Sequence, residues 1–228
     1  MTQEVQKTTK SDLTKKRILS AARKLFNEHG TLNISTNCIA DETGISPGNL
    51  YYHFRDKEEI IRAIFAEYSS ANQNLWHFGK EDTEGNIDKF LGNLLASMDL
   101  AWEYRFFERE ILGLLQSDPK LKSTYREAYE YRLSQWIAFG EALASQGILR
   151  TPNSPGTLKN ISTALWLIGQ SWIPFLDITG NPTNRREVAR GVTVVLAVLE
   201  PYLTDRGRKI IEHARKQGEL RSQEVAKV

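Results

Sequence analysis

The spacing of apolar residues constrains the fold of this 228-residue chain more than any other feature, because it is helical almost throughout. In the first segment, apolar residues recur every three or four positions and form one stripe: Ile18, Ala21, Ala22, Leu25 and Phe26. The sequence has no long runs in which apolar and polar residues alternate, as they do in strands. We therefore predict an all-α protein.

Capping and turn residues indicate where the shorter helices begin and end. Pro47 directly follows a serine, at the first helical position, where its missing N–H costs nothing. Asp56, followed three residues later by Glu59, is a typical start of a fourth helix. In chain order, the predicted caps and stops are Ser11 or Asp12, Gly30, Ser35, Gly44, Ser46 and Asp56.

Longer helices are predicted in the rest of the chain. We expect Pro174 to kink or shorten the helix that contains it, because proline removes a backbone donor. The predicted helices cover residues 86–104, 106–116, 119–146, 155–178 and 185–203, with a tail helix to about residue 216.

Composition excludes several classes of protein. The single cysteine, Cys38, excludes a disulfide framework within the chain and a cysteine-cluster metal site, and we expect it to be a small buried residue. The first ten residues are polar, so they do not resemble a secretory signal, and the most apolar stretch, 164–176, is too short to span a bilayer. We expect a soluble cytoplasmic protein that has no membrane contact and needs no cofactor.

Basic residues are concentrated at the beginning of the chain. The formal net charge is only +2, but seven basic residues and the single acidic residue Asp12 lie between Lys7 and Lys24. A local basic end permits nucleic-acid binding without establishing it, because most charge runs are solvated helix faces.

A helix-turn-helix is predicted between Ser35 and Lys57. Ala40 and Gly44 supply the small residue and the turn residue that two closely crossing helices need. The second helix offers polar side chains within a turn and a half, and such a helix fits the major groove of DNA. The residues expected to form the shared core are Ile39, Ile45 and Leu50, and those offered for contacts are Asn49, Tyr51, Tyr52 and His53.

Four segments of residues 12–65 carry a specific pattern: Ile39-Ala40-Asp41, Gly44-Ile45-Ser46, Leu50-Tyr51-Tyr52-His53-Phe54 and Lys57-Glu58-Glu59. In residues and spacing they resemble the DNA-binding signature of the TetR family of one-component transcriptional regulators. The resemblance implies that Leu50 and Phe54 are core residues. It also implies contacts to double-stranded DNA from Ser35, Thr36, Asn37, Pro47, Gly48, Asn49, Tyr51, Tyr52, His53 and Lys57.

Of these, the residues that match phosphate contacts in the family are Tyr51, His53 and Lys57, and we expect Asn49 to influence sequence preference. The alternative interpretation is a small helical bundle without a ligand, in which the two tyrosines pack and His53 is solvated.

The resemblance also implies a domain organisation. We expect a disordered basic arm at 1–10, a helix-turn-helix domain at 11–56, a helical regulatory and dimerisation domain at 57–203, and a C-terminal helix and tail at 204–228. Aromatic residues are dense in the regulatory region, where they form either solid core or a pocket for a small hydrophobic ligand. The candidate lining residues are Met98, Trp102, Phe107, Tyr129, Leu133, Trp136, Trp166 and Gln170.

Two apolar stripes are candidates for a homodimer interface, and burial within one chain is the alternative. The first stripe is Ala164, Leu165, Ile168, Trp172 and Phe175, and the second is Val188, Val192, Val195, Leu196 and Leu199. A dimer would present two reading helices to two half-sites.

The expected function is that of a ligand-responsive transcriptional regulator, with repression as the family default and a palindromic operator. The competing classes are a helical enzyme and an adaptor that has a small-molecule pocket but no operator binding. The enzyme class is disfavoured because the four histidines have no zinc-type spacing and no nucleophile elbow, phosphate loop or dinucleotide fingerprint occurs. Glu108 and Glu110 are two residues apart on a predicted helix, and we interpret them as solvated charge or salt-bridge partners rather than a catalytic pair.

Overall fold

The computed structural model describes residues 9–77, 87–150 and 154–212. Within these ranges the regular structure is helical apart from one isolated bridge between Leu149 and Leu203, which confirms the all-α prediction. The helices are α1 (Lys10–His29), α2 (Thr36–Thr43), α3 (Pro47–His53), α4 (Lys57–Leu75), α5 (Ile87–Glu103), α6 (Arg105–Ser117), α7 (Pro119–Ser145), α8 (Thr157–Ile178), α9 (Arg185–Ala189) and α10 (Gly191–Leu199).

The predicted N-terminal arm and C-terminal tail are only partly covered by the described residues. The predicted basic arm lies outside the described residues up to residue 8, and Lys10 already belongs to α1. After α10 come a 3-10 turn, Glu200–Tyr202, and a helical stretch at 205–212. The remainder of the predicted tail lies outside the described residues.

The cap of α1 differs from the prediction. Thr9 is the N-cap: its hydroxyl accepts a hydrogen bond from the Asp12 N–H at 3.2 Å, and the Asp12 carboxylate accepts one from the Thr9 N–H at 3.0 Å. Asp12 therefore occupies the third helical position of a reciprocal capping box, where an acidic side chain satisfies the N-cap donor. The expectation that Ser11 or Asp12 caps this helix was wrong.

One of the later helices has the predicted extent and another does not. Helix α8 ends at Ile178 as predicted and continues through Pro174, so the proline does not shorten it; its neighbours Ile173 and Leu176 are buried, and this packing sustains the helix. The single helix predicted over 185–203 is instead divided into α9, α10 and the 3-10 turn, with Arg190 between the first two.

Two compact units make up the chain. Unit 1 contains Met1–Ser70 and Glu103–Lys122, and unit 2 contains Ala71–Trp102 and Ser123–Val228. The helix-turn-helix was expected to end as a domain at residue 56, whereas most of α4 and all of α6 group with it.

Aromatic packing explains why α6 belongs to unit 1. The rings of Phe107 and Phe65 stack with their centroids 4.9 Å apart, and those of Phe106 and Phe26 lie 5.3 Å apart. Phe26, Phe106 and Phe107 are each 1% exposed. A helix that buries two such rings loses several kcal/mol of packing, on the order of 3–5 for each phenylalanine, if it leaves.

Polar side chains reinforce the attachment of α6. The Asn27 side chain donates to the Glu103 carbonyl at 2.8 Å and accepts from the Phe106 N–H at 3.0 Å, so α1 caps the start of α6. Glu108 is 3% exposed and accepts a hydrogen bond from the Tyr68 hydroxyl at 2.6 Å. The interpretation of Glu108 as a solvated charge was therefore wrong, because its carboxylate is buried beside the Tyr68 hydroxyl.

Asp118, directly after α6, binds groups of both α4 and α7. One carboxylate oxygen accepts from the N–H groups of Lys120 and Leu121 at 3.0 and 3.1 Å, which caps α7. The other accepts from the Arg62 guanidinium at 2.5 Å. Burial raises the pKa of Asp118, but the hydrogen bond from the Leu121 backbone and the guanidinium of Arg62 outweigh it, so the pKa is lowered.

We expect Asp118→Asn to destabilise the protein at pH 7 by about 1–3 kcal/mol, because a buried charged hydrogen bond is lost. The folded-state pKa is depressed, so the stabilisation is present above the ordinary value of 3.8 and disappears as the pH falls through the folded pKa. Urea denaturation at pH 7, 5 and 3 should therefore show the variant and the wild type converging at acid pH. Asp99→Asn is the matched control, because Asp99 is 57% exposed in its pair with Arg185 and should change stability little. A difference that is as large at pH 3 as at pH 7 would contradict the assignment.

The core of unit 2 is built from α5, α7, α8 and α10 together with the end of α4 and the segments after α7 and α10. Gly191 begins α10 directly against Trp172, and a Cβ at this position would lie 2.9 Å from the indole ring. Only glycine therefore allows this approach. Within the described ranges, none of the helices combines the length and the apolar character needed to cross a bilayer.

Candidate nucleic-acid interface

Helices α2 and α3 form the predicted helix-turn-helix. Ser35 caps α2 by accepting from the Cys38 N–H at 3.3 Å, and Gly44 ends the helix in the left-handed region with φ of 69°. Ser46 caps α3 by accepting from the Asn49 N–H at 3.2 Å, with Pro47 in its first turn. The sequence therefore fixes both helix starts and the turn locally, as predicted.

The two helices share a closed core. Ile39, Ala40 and Leu50 are each 0% exposed, and Phe54 is 6% exposed. The prediction that Leu50 and Phe54 are core residues is confirmed. The other side chains of α3 are exposed, except for His53, which is half-buried.

The ten residues predicted to contact DNA are mostly exposed. Tyr52 is 80% exposed and Tyr51 is 51% exposed. Thr36, His53 and Lys57 are half-buried. The exposed members are Ser35, Asn37, Pro47, Gly48, Asn49, Tyr51 and Tyr52. The structure thus brings nine of the ten residues to the start of α2 and along α3, and it places Lys57 at the start of α4.

Two hydroxyl groups link the helices on this surface. The Thr36 hydroxyl and the Tyr51 hydroxyl lie 2.9 Å apart and share a hydrogen bond. This pair fixes the Tyr51 ring relative to the start of α2, so that both hydroxyls face the same region. The His53 ring meets the edge of the Tyr52 ring, with centroids 5.1 Å apart, and its Nδ1 is buried without a hydrogen-bond partner among the described residues.

Lys57 has a second role that its sequence position did not reveal. Its ammonium donates to the carbonyl oxygens of Thr31 and Ile34 at 2.7 and 3.1 Å. These carbonyls belong to the loop between α1 and α2. Lys57 therefore holds that loop, whether or not it also reaches a phosphate.

Basic residues of α1 are partly occupied by contacts within unit 1. The Arg17 guanidinium donates to the Thr43 carbonyl at 2.7 Å, which satisfies an acceptor at the end of α2. Lys24 pairs with Glu42 at 2.8 Å on the surface. The basic run thus contributes to docking α1 on α2 as well as to the local charge.

Cys38 is exposed, and the expectation that it is buried was wrong. The inward face of α2 is formed by Ile39, Ala40 and Thr43, so residue 38 lies on the outer face. A hydrogen bond from the Ser35 side chain lowers the pKa of its thiol.

The predicted ligand-lining residues separate into groups. Within unit 2, the rings of Tyr129 and Trp136 meet Trp166 edge-on, with centroids 5.0 and 6.4 Å away. Gln170 accepts from the Tyr125 hydroxyl at 2.8 Å, and the Tyr125 ring also meets Trp166 edge-on. Together Tyr125, Tyr129, Trp136, Trp166 and Gln170 form what we call the aromatic group.

The other predicted lining residues, Met98, Trp102, Phe107 and Leu133, do not belong to the aromatic group. The sulfur of Met98 lies beside Gly191, where a Cβ would be 3.1 Å from it. Phe107 belongs to unit 1, in the packing with Phe65 and Phe106. Trp102 is half-buried against the core of unit 2, and Leu133 is half-buried on α7.

A separate cleft of about 200 Å³ is present in unit 1. Its walls are polar and charged, so it differs from the apolar pocket expected from the sequence. The lining residues are Ser20, Arg23, Lys24, Asn27, Glu28, Glu103 and Arg105.

Comparison with known proteins assigns the family. A family model described as "Bacterial regulatory proteins, tetR family" matches residues 18–64, and one described as "Bacterial transcriptional repressor" matches residues 67–211. The HTH-type transcriptional regulator UidR of Escherichia coli K12 is 44% identical over 123 residues, which is 53% of this chain and 61% of the relative. The chain thus spans less than two thirds of the curated relatives it matches.

Solved structures agree over more of the chain. A TetR-family transcriptional regulator from Marinobacter aquaeolei VT8 is 34% identical with a TM-score of 0.77, covering 89% of this chain and 98% of that one. Salmonella enterica GusR has the same fold, with a TM-score of 0.60 at 22% identity, covering 84% of this chain and 98% of GusR. With a helix-turn-helix in unit 1 and a family model that covers most of the remaining chain, this protein belongs to the TetR family of bacterial transcriptional regulators.

Proposed function

We propose that this regulator binds a palindromic operator as a homodimer, represses transcription in the cytoplasm, and is released by a small apolar or aromatic molecule. The observation that carries the proposal is the surface of α2 and α3, where exposed polar side chains stand on a closed core. Asn37 at the start of α2 and Asn49 on α3 offer amides to base edges, and Tyr51 offers a hydroxyl to phosphate. Repression is supported by the description of the matched family model.

The exposed face of α8 supports a dimer. Leu167, Phe175 and Ile178 are 58%, 48% and 84% exposed, and they lie on one side of the helix. Of the stripe predicted on this helix, Phe175 belongs to this exposed side, whereas Leu165, Ile168 and Trp172 pack in or against the core of unit 2. An apolar stripe of this kind on the surface of a small protein indicates a partner. A second copy fits it, because a two-fold axis lets the same stripe serve both subunits.

Helix α10 is the second element of the proposed dimer, although not through the stripe expected from the sequence. Val188, Val192, Val195, Leu196 and Leu199 are all buried within the chain, so that stripe follows the alternative of intramolecular burial. The outer side of α10 carries Val194, Ala197 and Val198, which are half-buried or exposed. A helix that is apolar on both sides needs a neighbour on both sides.

The aromatic group supports the proposed ligand class. Its rings are only partly buried, and Gln170 and the Tyr125 hydroxyl add polar groups that could orient a bound molecule. A ligand that binds one of two conformations more tightly shifts the protein towards that conformation, and DNA affinity changes accordingly.

Selection of bound duplexes from a random DNA pool tests the proposal. A dimer should enrich two inverted half-sites whose centres are about one helical turn apart, on the order of 10 base pairs, or a multiple of it. Leu167→Asp should convert the dimer to a monomer in analytical ultracentrifugation and weaken binding to the selected site, because a charge would be buried in the interface. Leu95→Asp is the matched control, because Leu95 is 51% exposed on α5 and should change neither property.

The outcome of the selection separates this proposal from its competitor. An adaptor that has lost DNA binding would enrich no duplex and would show no salt-sensitive binding to any duplex. Enrichment of a single unrepeated half-site by a monomeric protein would contradict the dimer.

A further inference from the structure

Glu110 makes an unexpected contact with the loop between α1 and α2. It lies on α6, 79 residues along the chain from Thr31, and its carboxylate accepts the Thr31 N–H at 3.0 and 3.2 Å. The Thr31 hydroxyl donates to the same carboxylate in a short hydrogen bond. Thr31 is 2% exposed, so these bonds lie at a buried point of the loop.

The same loop is held from its other side by Lys57. The Lys57 ammonium binds the Thr31 carbonyl, whereas Glu110 binds the Thr31 N–H and hydroxyl. The Lys57 ammonium also donates to the Ile34 carbonyl. Residues 31–34 are thus fixed by an anion and a cation, and the next residue, Ser35, is the cap of α2.

We propose that Glu110 is a positioning residue for DNA recognition, which fixes the loop that sets the start of α2. The inference rests on the proposed function in one respect, namely that Thr36 and Asn37 meet the DNA. Hydrogen bonds to a carboxylate are stronger than those between neutral groups, and three of them converge here on one residue. Without them, the buried Thr31 N–H and hydroxyl lose the acceptor that Glu110 provides, and we expect the start of α2 to be placed less precisely.

The direction of the expected effect separates positioning from simple electrostatics. Removing an acidic group from a DNA-binding surface makes the protein more positive, which by itself strengthens binding to DNA. Weaker binding after loss of Glu110 would therefore run against the charge effect. A positioning role explains such a loss.

The experiment measures binding by fluorescence anisotropy over a range of salt concentrations, using the duplex selected by the wild-type protein and a scrambled duplex. For Glu110→Ala we expect affinity for the selected duplex to fall about tenfold or more, a change of ~1.4 kcal/mol or more. Affinity for the scrambled duplex should fall less than about twofold, and the salt slope should stay the same, since no phosphate contact is removed. Thermal melts establish that the variant is folded at the assay temperature.

Two further variants complete the test. Glu110→Gln should rescue most of the affinity, because its amide can accept from the Thr31 N–H and donate to the Thr31 hydroxyl. Glu67→Gln removes the same charge from an exposed position on α4 and should leave binding unchanged or slightly tighter.

The inference is overturned if Glu110→Ala binds the selected duplex as tightly as Glu67→Gln does. Equal losses on both duplexes would also overturn it, because a partly unfolded protein loses all binding alike. A wild-type protein that selects no duplex overturns the proposed function itself, which is a distinguishable result.

Discussion

Replacing Phe107 by alanine is expected to lower the free energy of unfolding by about 3–5 kcal/mol, the largest stability effect among these predictions. Phe107 is 1% exposed, stacks on Phe65, and meets the edge of Phe106 at 6.0 Å. Truncation would leave a cavity in the packing that joins α6 to the remainder of unit 1. Urea denaturation followed by circular dichroism measures the loss.

Leu112→Ala is the control for this prediction. Leu112 lies on the same helix but is 69% exposed, so its truncation should change stability by no more than about 0.5 kcal/mol. The sequence placed Phe107 among the candidate ligand-lining residues. If Phe107→Ala leaves stability intact and abolishes a ligand response, that role applies and the core assignment fails.

Lys57→Met is expected to weaken binding to the selected duplex about tenfold to a hundredfold, the range expected for losing 1.5–3 kcal/mol from charged hydrogen bonds. Methionine keeps the apolar stem and removes the ammonium. The carbonyls of Thr31 and Ile34 then lose their donor, and any phosphate contact is lost with it. Fluorescence anisotropy with the selected duplex measures the change.

The salt dependence identifies which of the two roles of Lys57 dominates. A lost phosphate contact should reduce the slope of log affinity against log salt by about one, whereas a lost loop anchor should leave the slope unchanged. Lys159→Met makes the same charge change at an exposed position on α8 and should not affect binding. Wild-type affinity in Lys57→Met would contradict both roles.

Much of unit 1 could be predicted because its signals are local. Ser35, Gly44, Ser46 and Pro47 determine the ends of α2 and α3 through bonds that span three or four residues. Local signals can still leave two candidates for the same N-cap. Thr9 and Ser11 both carry a hydroxyl, and only the position of Asp12 in the completed box distinguishes them.

Contacts between distant parts of the chain account for what the sequence did not reveal. Nothing near Glu110 indicates that it binds Thr31, and nothing near Asn27 indicates that it caps α6. The sequence also left open whether Pro174 would shorten its helix, and the burial of Ile173 and Leu176 explains why the helix continues to Ile178. Such contacts depend on the packed arrangement of helices, which helical periodicity alone does not specify.

The grouping of α6 with the helix-turn-helix bears on how regulators of this kind can be recombined. A chimera that transplants only residues 11–56 into a relative would leave Phe26 facing a foreign helix in place of Phe106. It would also separate Thr31 from Glu110. We therefore expect a transplanted DNA-binding module to need residues 103–122 in addition to the helix-turn-helix.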